Sequence, residues 1–242
     1  MKTKLQSLYI IIATLLTTIR YSILILTIAL TFKSPRQKIN HHLHRWAKRL
    51  LRIPNVHYQI FHAHGQEPEL KPNHAYIIIS NHCSHYDIPL IMVAFPEKIS
   101  IRMIAKKELF RVPLWGHAMK ASEFISIDRV NKRQAIKDLR AAKDKMLSGI
   151  VPWIAPEGTR SRTGELQPFK KGGFMLALQT NATIIPVAIK GSGKILPPKT
   201  WHFSTNEHVE IHIGTPIDTA GYSAKNVEEL MHKVETSIRS MS

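Results

Sequence analysis

A single α/β domain, with a mixed sheet flanked by helices and an N-terminal membrane-anchoring helical segment before it, is the fold this sequence predicts. Short apolar runs of strand length alternate with helical patterns from residue 56 onward, the signature of one layered α/β unit. From Leu5 to Phe32 the chain is apolar, with Arg20 its only charge. At 242 residues there is room for one such domain and an anchor, but not for two full domains. The expected division is residues 1–54, a hydrophobic anchor with a basic amphipathic helix, and 55–242, the α/β domain.

The anchor comes first. The run 5–32 exceeds the roughly 30 Å of hydrocarbon at about 1.5 Å per residue, so one helix could span with Arg20 snorkelling. Two shorter interfacial helices broken near Arg20 are the alternative. Ile39, Leu43, Trp46 and Leu50 then recur at helical spacing among Lys38, Arg45, Lys48, Arg49 and Arg52, which predicts a basic helix with an interfacial Trp. Next to an apolar run, such a helix is drawn to anionic headgroups, and the positive-inside bias places it and the rest of the chain on the cytoplasmic side.

Alternation from Val56 to Phe61 predicts a first, exposed strand. Strands follow at 75–80, 99–105, 124–127, 150–155, 183–189 and 209–213. Helices are expected from about Ile88, near 113–121, near 172–180, and at the C-terminus, where Val227, Leu230, Met231, Val234 and Ile238 form a stripe. Asn131 with Gln134 resembles a capping box opening a helix to Leu147, which Gly149 closes. The segment 192–208, with Pro197-Pro198, carries no motif and reads as a lid or a loop.

Bulk numbers narrow the partners. The chain has 34 Lys and Arg against 17 Asp and Glu, a net charge of +17, which calls for an anionic partner: nucleic acid, an anionic bilayer or an acidic carrier protein. Nucleic acid fits poorly, because aromatic residues make up only 7% of the chain and no binding module appears. A single cysteine, Cys83, forbids an intramolecular disulfide. His41, His42 and His44 lack an accompanying carboxylate or Cys, so no metal site is expected.

The chemistry concentrates in Asn81-His82-Cys83-Ser84-His85-Tyr86-Asp87, between a predicted strand and a predicted helix. That is the C-terminal edge of an α/β sheet, where open-sheet enzymes keep their sites. Five residues apart on a continuous helix, His82 and Asp87 would diverge by roughly 140°. They can meet only if the turn is irregular, with Asp87 as N-cap and Pro89 in the first helical turn. The carboxylate can then hold one imidazole nitrogen while the other takes a proton from a hydroxyl. Ser84 and Cys83 are rival nucleophiles, and His85 a rival base. A second charged turn, Glu157-Gly158-Thr159-Arg160, follows Val151-Pro152-Trp153-Ile154-Ala155. Gly there admits close backbone approach, and Arg can fork onto two phosphate oxygens. Arg129 ends another strand block, and Lys107 opens a helix whose dipole favours an anion.

Together with Lys106-Lys107-Glu108-Leu109-Phe110, Phe124 to Arg129 and Ile184 to Ile189, these blocks resemble, in order and spacing, the glycerolipid acyltransferase family typified by 1-acylglycerol-3-phosphate acyltransferase, over residues 73–191. The resemblance implies transfer of a fatty acyl group from acyl-CoA or acyl carrier protein to the free hydroxyl of lysophosphatidic acid, giving phosphatidate. It implies no cofactor beyond the thioester co-substrate. It makes His82 the base and Asp87 its orienting partner. Lys107, Arg129, Gly158, Thr159 and Arg160 fall to the phosphate, and Glu157 to the glycerol portion. Phe110, Val112, Pro113, Leu114, Trp115, Met119 and Phe124 are candidates for an acyl groove. The partners implied are membrane lipids, lysophosphatidic acid and the acyl donor, with no nucleic acid. Another lysolipid as acceptor, and a catalytically silent membrane scaffold, are the competing readings.

Overall fold

Isoleucine-rich runs put three strands at the centre of the sheet: β2 (Tyr76–Ser80), β5 (Ile150–Ile154) and β6 (Thr183–Lys190). Strands buried on both faces read as continuous apolar runs rather than alternations. The structure, a computed structural model, describes residues 2–128 and 131–242. The remaining strands are β1 (His57–His62), β3 (Ser100–Lys106), β4 (Ile125–Ile127) and β7 (His208–Ile213). The seven strands lie in the order β1-β7-β6-β2-β5-β3-β4. All neighbours are parallel except β6 and β7, so the sheet is mixed, as expected. Each expected strand is present, displaced by no more than one residue at either end.

Helices cover both faces. On one side lie α1 (Lys2–Thr31), α2 (Arg36–Arg52), α3 (Asp87–Ala94) and α4 (Trp115–Ala121); on the other lie α5 (Lys132–Leu147), α6 (Gly172–Thr180) and α8 (Val227–Met241). The pleat of β2 divides its side chains accordingly: Ile78 joins the first core, Ile77 and Ile79 the second. Residues of α1 and α2, among them Ile10, Ile25, Ile39 and Leu43, belong to that first core. The break at Pro54 therefore separates two sequence patterns but not two cores.

Helix α1 is unbroken through Arg20, so of the two arrangements open to the sequence the single long helix is the one present. The hairpin partner of α1 is α2. Trp46 Nε1 donates to Thr18 Oγ1 at 3.2 Å, and the Tyr21 and His42 rings meet at 6.3 Å. Trp46 thus fastens the two helices together. On α5, Asn131 Oδ1 accepts the Gln134 N–H at 3.2 Å as a cap should, but the Gln134 side chain turns to Asp138, so the reciprocal half of the box is not made.

The segment after β6 is a tie rather than a lid. It starts with α7 (Ser192–Ile195), entered through Gly191 at φ +88°, where a Cβ would lie 2.4 Å from the His208 carbonyl oxygen. Beyond it, Phe203 N–H donates to Ser7 Oγ of α1 (3.0 Å), Asn206 N–H to the Pro54 carbonyl (3.0 Å), and Ser84 Oγ to the Leu196 carbonyl (3.1 Å). One stretch of chain thereby holds the start of α1, the entry to β1 and the loop after β2.

Candidate active site

Because β2 and β5 are adjacent and parallel, their C-terminal ends present the His82 loop and the Glu157–Arg160 turn side by side. Backbone bonds lock the two together. Ser161 N–H donates to the His82 carbonyl at 2.7 Å, and His82 N–H donates to Glu157 Oε1 at 2.7 Å. The Asn81 side chain completes the loop's footing, pairing with both backbone groups of Ile189 on β6 (2.9 and 2.8 Å).

The irregular turn needed to join His82 to Asp87 is present, with Nδ1 of the ring 2.7 Å from Asp87 Oδ2. The same oxygen accepts the N–H groups of Cys83 (2.7 Å) and Ser84 (2.9 Å). An oxygen already receiving two backbone donors must also receive from the imidazole, which assigns the proton to Nδ1 and leaves Nε2 as acceptor. Asp87 is fully buried. It does not serve as the N-cap expected from the sequence: it is the first residue of α3, Tyr86 precedes it as cap, and its carboxylate curls back onto the loop. The His82 ring is only 19% exposed and stands edge-on to Trp153 at 5.8 Å, whose Nε1 is fixed to Ser80 Oγ at 2.9 Å.

The rival groups are disposed of by their surroundings. Ser84 is fully buried and donates to the Leu196 carbonyl. Burial, then the charges of Asp87 and Glu157, push the Cys83 thiol up to about 12, far from a reactive thiolate. The ring of His85 reaches solvent, yet the protein crowded around it, and then the Arg160 charge, lower its pKa to about 4. It lines the apolar cavity described below.

The second turn divides its labour differently from expectation. Glu157 is 3% exposed, and both its oxygens serve backbone, Oε1 for His82 N–H and Oε2 for Gln167 N–H at 3.0 Å. Burial raises its pKa, with those two donors opposing. Glu157 thus braces the His82 loop from the neighbouring turn. Gly158 takes φ +74° and Thr159 is exposed. Arg160 is partly buried, feels the Asp87 charge, and forms no ion pair among the described residues. Lys107 follows β3, the strand next to β5 that leads into the Arg160 turn, and its Nζ lies 2.5 Å from Asp128 Oδ2. It opens a five-residue 3₁₀ turn rather than an α-helix, which removes the dipole argument made for it. Arg129 lies outside the described residues. Of the described cations named for the phosphate, Lys107 is paired with Asp128, and Arg160 is in no ion pair among the described residues.

An apolar cavity of about 140 Å³ opens beside His85 between the sheet and helices α1, α2 and α4. Trp115, Met119 and Phe124 line it as expected, joined by Ile25, Leu43 and Trp46 from the anchor hairpin. Phe110, Val112, Pro113 and Leu114 do not; Phe110 packs its backbone against Gly116, where a Cβ would sit 2.4 Å from its carbonyl oxygen. The contribution of the hairpin to this wall was missed, because nothing in the α1 sequence distinguishes a cavity lining from a lipid-facing side.

The family model described as Acyltransferase matches residues 61–190. An uncharacterised acyltransferase of Schizosaccharomyces pombe is 37% identical over 175 residues, 71% of this chain and 62% of its own length. The 1-acyl-sn-glycerol-3-phosphate acyltransferase of Saccharomyces cerevisiae is 35% identical over 162 residues, 66% of this chain and 52% of its own. The alpha enzyme of that name from Mus musculus is 30% identical, over 69% of this chain and 58% of its own. The chain thus spans between half and two thirds of the length of these relatives. Among solved structures, the 1-acyl-sn-glycerophosphate acyltransferase PlsC of Thermotoga maritima superposes with a TM-score of 0.81 at 25% identity, covering 99% of this chain and 94% of that one. With its family match running from β1 to the end of β6 and enclosing both the dyad loop and the Arg160 turn, this chain belongs to the acyltransferase family.

Proposed function

We propose that this protein transfers a fatty acyl group from a thioester, acyl-CoA or acyl carrier protein, to the free hydroxyl of 1-acyl-sn-glycerol 3-phosphate, forming phosphatidic acid. The observation that carries the reading is the His82–Asp87 contact at 2.7 Å, with Nε2 left as acceptor and Arg160, on the adjoining turn, in no ion pair among the described residues. In the proposed step His82 Nε2 takes the proton of the lysolipid hydroxyl as its oxygen attacks the thioester carbonyl. The buried Asp87 carboxylate favours the imidazolium that forms. Collapse of the tetrahedral intermediate breaks the carbon–sulfur bond, and the departing thiolate recovers the proton from His82. No covalent enzyme intermediate is needed, since the thioester is already activated. The acyl chain would occupy the apolar cavity beside His85, and the acceptor's phosphate would meet Arg160.

The relatives named for 1-acyl-sn-glycerol-3-phosphate support the choice of acceptor, and α1 supports the setting. This helix is long and apolar enough to cross a membrane, yet only 17% of its most apolar window is buried. Its first turns are tied to Phe203 and Thr205 and its middle to α2, so it follows the flank of the domain. A helix held along a domain wall lies in one leaflet more readily than it spans, and the basic face of α2 would rest on the cytoplasmic headgroups.

Purified protein offered a panel of lysolipids with each thioester donor tests the reading. Phosphatidic acid from lysophosphatidic acid is expected, with His82→Ala lowering kcat by about 10²–10⁴ while the far-UV spectrum is unchanged. Undiminished turnover in that variant ends the mechanism.

A further inference from the structure

Past the Arg160 turn, the chain folds back on itself. Gln167 N–H returns to Glu157 Oε2, and Lys170 N–H donates to the Pro156 carbonyl at 2.9 Å. This return lays the Lys170 side chain across Gly158. A Cβ built on Gly158 would lie 2.6 Å from Lys170 Nζ and 3.2 Å from both Cδ and Cε. Glycine is favoured at this position by φ +74°, and the space a side chain would take is occupied by the far end of Lys170. The neighbouring Lys171 is committed elsewhere, 2.7 Å from Glu228 Oε1, and Lys107 is held by Asp128. Lys170 forms no ion pair among the described residues, nor does Arg160, two residues beyond Gly158.

A phosphate monoester carries close to two negative charges at neutral pH, and a lone guanidinium answers only one of them. An ammonium whose side chain already lies over the Gly158 backbone is close at hand for an anion bound at that turn. We propose that Lys170 is the second cation of the phosphate subsite, set beside Arg160 by the missing side chain of Gly158, and that it selects monoester acceptors over phosphodiesters. This rests on the acyltransferase reading above and names the residue that gives that site its headgroup preference.

The experiment compares Lys170→Met with the wild-type protein in two assays. In turnover, the KM for lysophosphatidic acid is expected to rise about tenfold to a hundredfold, the loss of one charge-assisted bond. The KM for the thioester should stay within about twofold, and Lys170→Arg should recover most of the loss. In calorimetry with detergent-dispersed lysophosphatidic acid lacking the 2-hydroxyl, the affinity should fall by a similar factor, whether or not acyl transfer occurs. Gly158→Ala should reproduce the defect by displacing the lysine, and the double variant should be little worse than either single one, because the two act through one contact. Lys171→Met should change neither quantity. Full-affinity binding of the analogue by Lys170→Met, or a rise confined to the thioester's KM, overturns the proposal. Wild-type protein that binds the analogue and transfers no acyl group would instead refute the functional reading, leaving the binding comparison to decide this one.

Discussion

Asp87 Oδ2 gathers three donors, two from the backbone and one from His82, so its position follows from the shape of the loop and not from the helix it begins. This is why the sequence could foresee the pairing of the two residues but not the means. The spacing of five excluded a regular helix, yet nothing in it showed that the carboxylate would fold back rather than cap. Glu157 makes the complementary case, since a carboxylate in a charged turn looks the same whether it will face a substrate or its own backbone. The titration of His85 offers a test at this scale. In the folded protein its pKa drops from 6.5 to about 4, chiefly through burial and then through Arg160. Between those values the unfolded chain binds a proton that the folded one refuses, so stability should fall as pH drops from about 6.5 towards about 4. Melting temperatures across that range should decline less steeply for His85→Gln than for the wild type, and parallel curves would show that the imidazole is more freely hydrated than the structure indicates.

Among the elements, α2 depends on a residue that the hydrophobic pattern does not reveal. Arg102, on β3 and 1% exposed, donates from Nη2 to Asn40 Oδ1 of α2 (2.7 Å) and from Nη1 to the Ile101 carbonyl (2.8 Å), while its Nε reaches the Ser122 carbonyl that ends α4. Burial lowers its pKa to about 10, so it stays charged, and the C-terminus of α4 supplies a favourable dipole. Arg36 reinforces the joint from the other end, paired with Glu123 at 2.7 Å. Replacing Arg102 with Met would leave the Ser122 carbonyl and the Asn40 amide oxygen buried without donors, at a cost of roughly 2–5 kcal/mol. Thermal melts in detergent should show the loss, and Arg102→Lys should not restore it, since one ammonium cannot serve three acceptors in this fork. A melting point within a degree or two of wild type for Arg102→Met would mean the hairpin is held by its apolar contacts alone. The strands were legible because buried parallel strands announce themselves as isoleucine-rich runs. This joint was not, because a lone Arg within such a run gives no sign of whom it will meet. The tie at 196–206 escaped for a similar reason: it holds largely through backbone groups, which every sequence possesses.

Taken whole, the molecule carries apolar side chains on both sides of its first helix, since Ile10, Ile25 and Ile28 are buried against the domain. The side facing protein carries Ser7, Thr14, Thr18 and Ser22 among its contacts, while Leu8, Tyr9, Leu15 and Leu16 are each more than half exposed. An apolar face of this extent on a soluble surface would be an aggregation hazard, whereas in a leaflet it is an anchor. Leu8→Glu combined with Leu16→Glu should cut co-sedimentation with anionic vesicles by an order of magnitude or more, at about 2–3 kcal/mol per charge placed in hydrocarbon. Stability in detergent should hardly change, because neither side chain packs on the core. Vesicle binding that survives both substitutions would assign the attachment to the cationic ridge of α2, and high salt would then abolish it.

Since α1 is fastened near its start to the 203–205 stretch and farther along to Trp46, it cannot pivot independently of the sheet. A keel bolted to its hull at two points fixes the draught of the vessel. The height of the His82 imidazole relative to the lipid carbonyls would then be set by the protein's own geometry, so that where the bilayer is thinner or thicker it is the lipids that must bend to meet it.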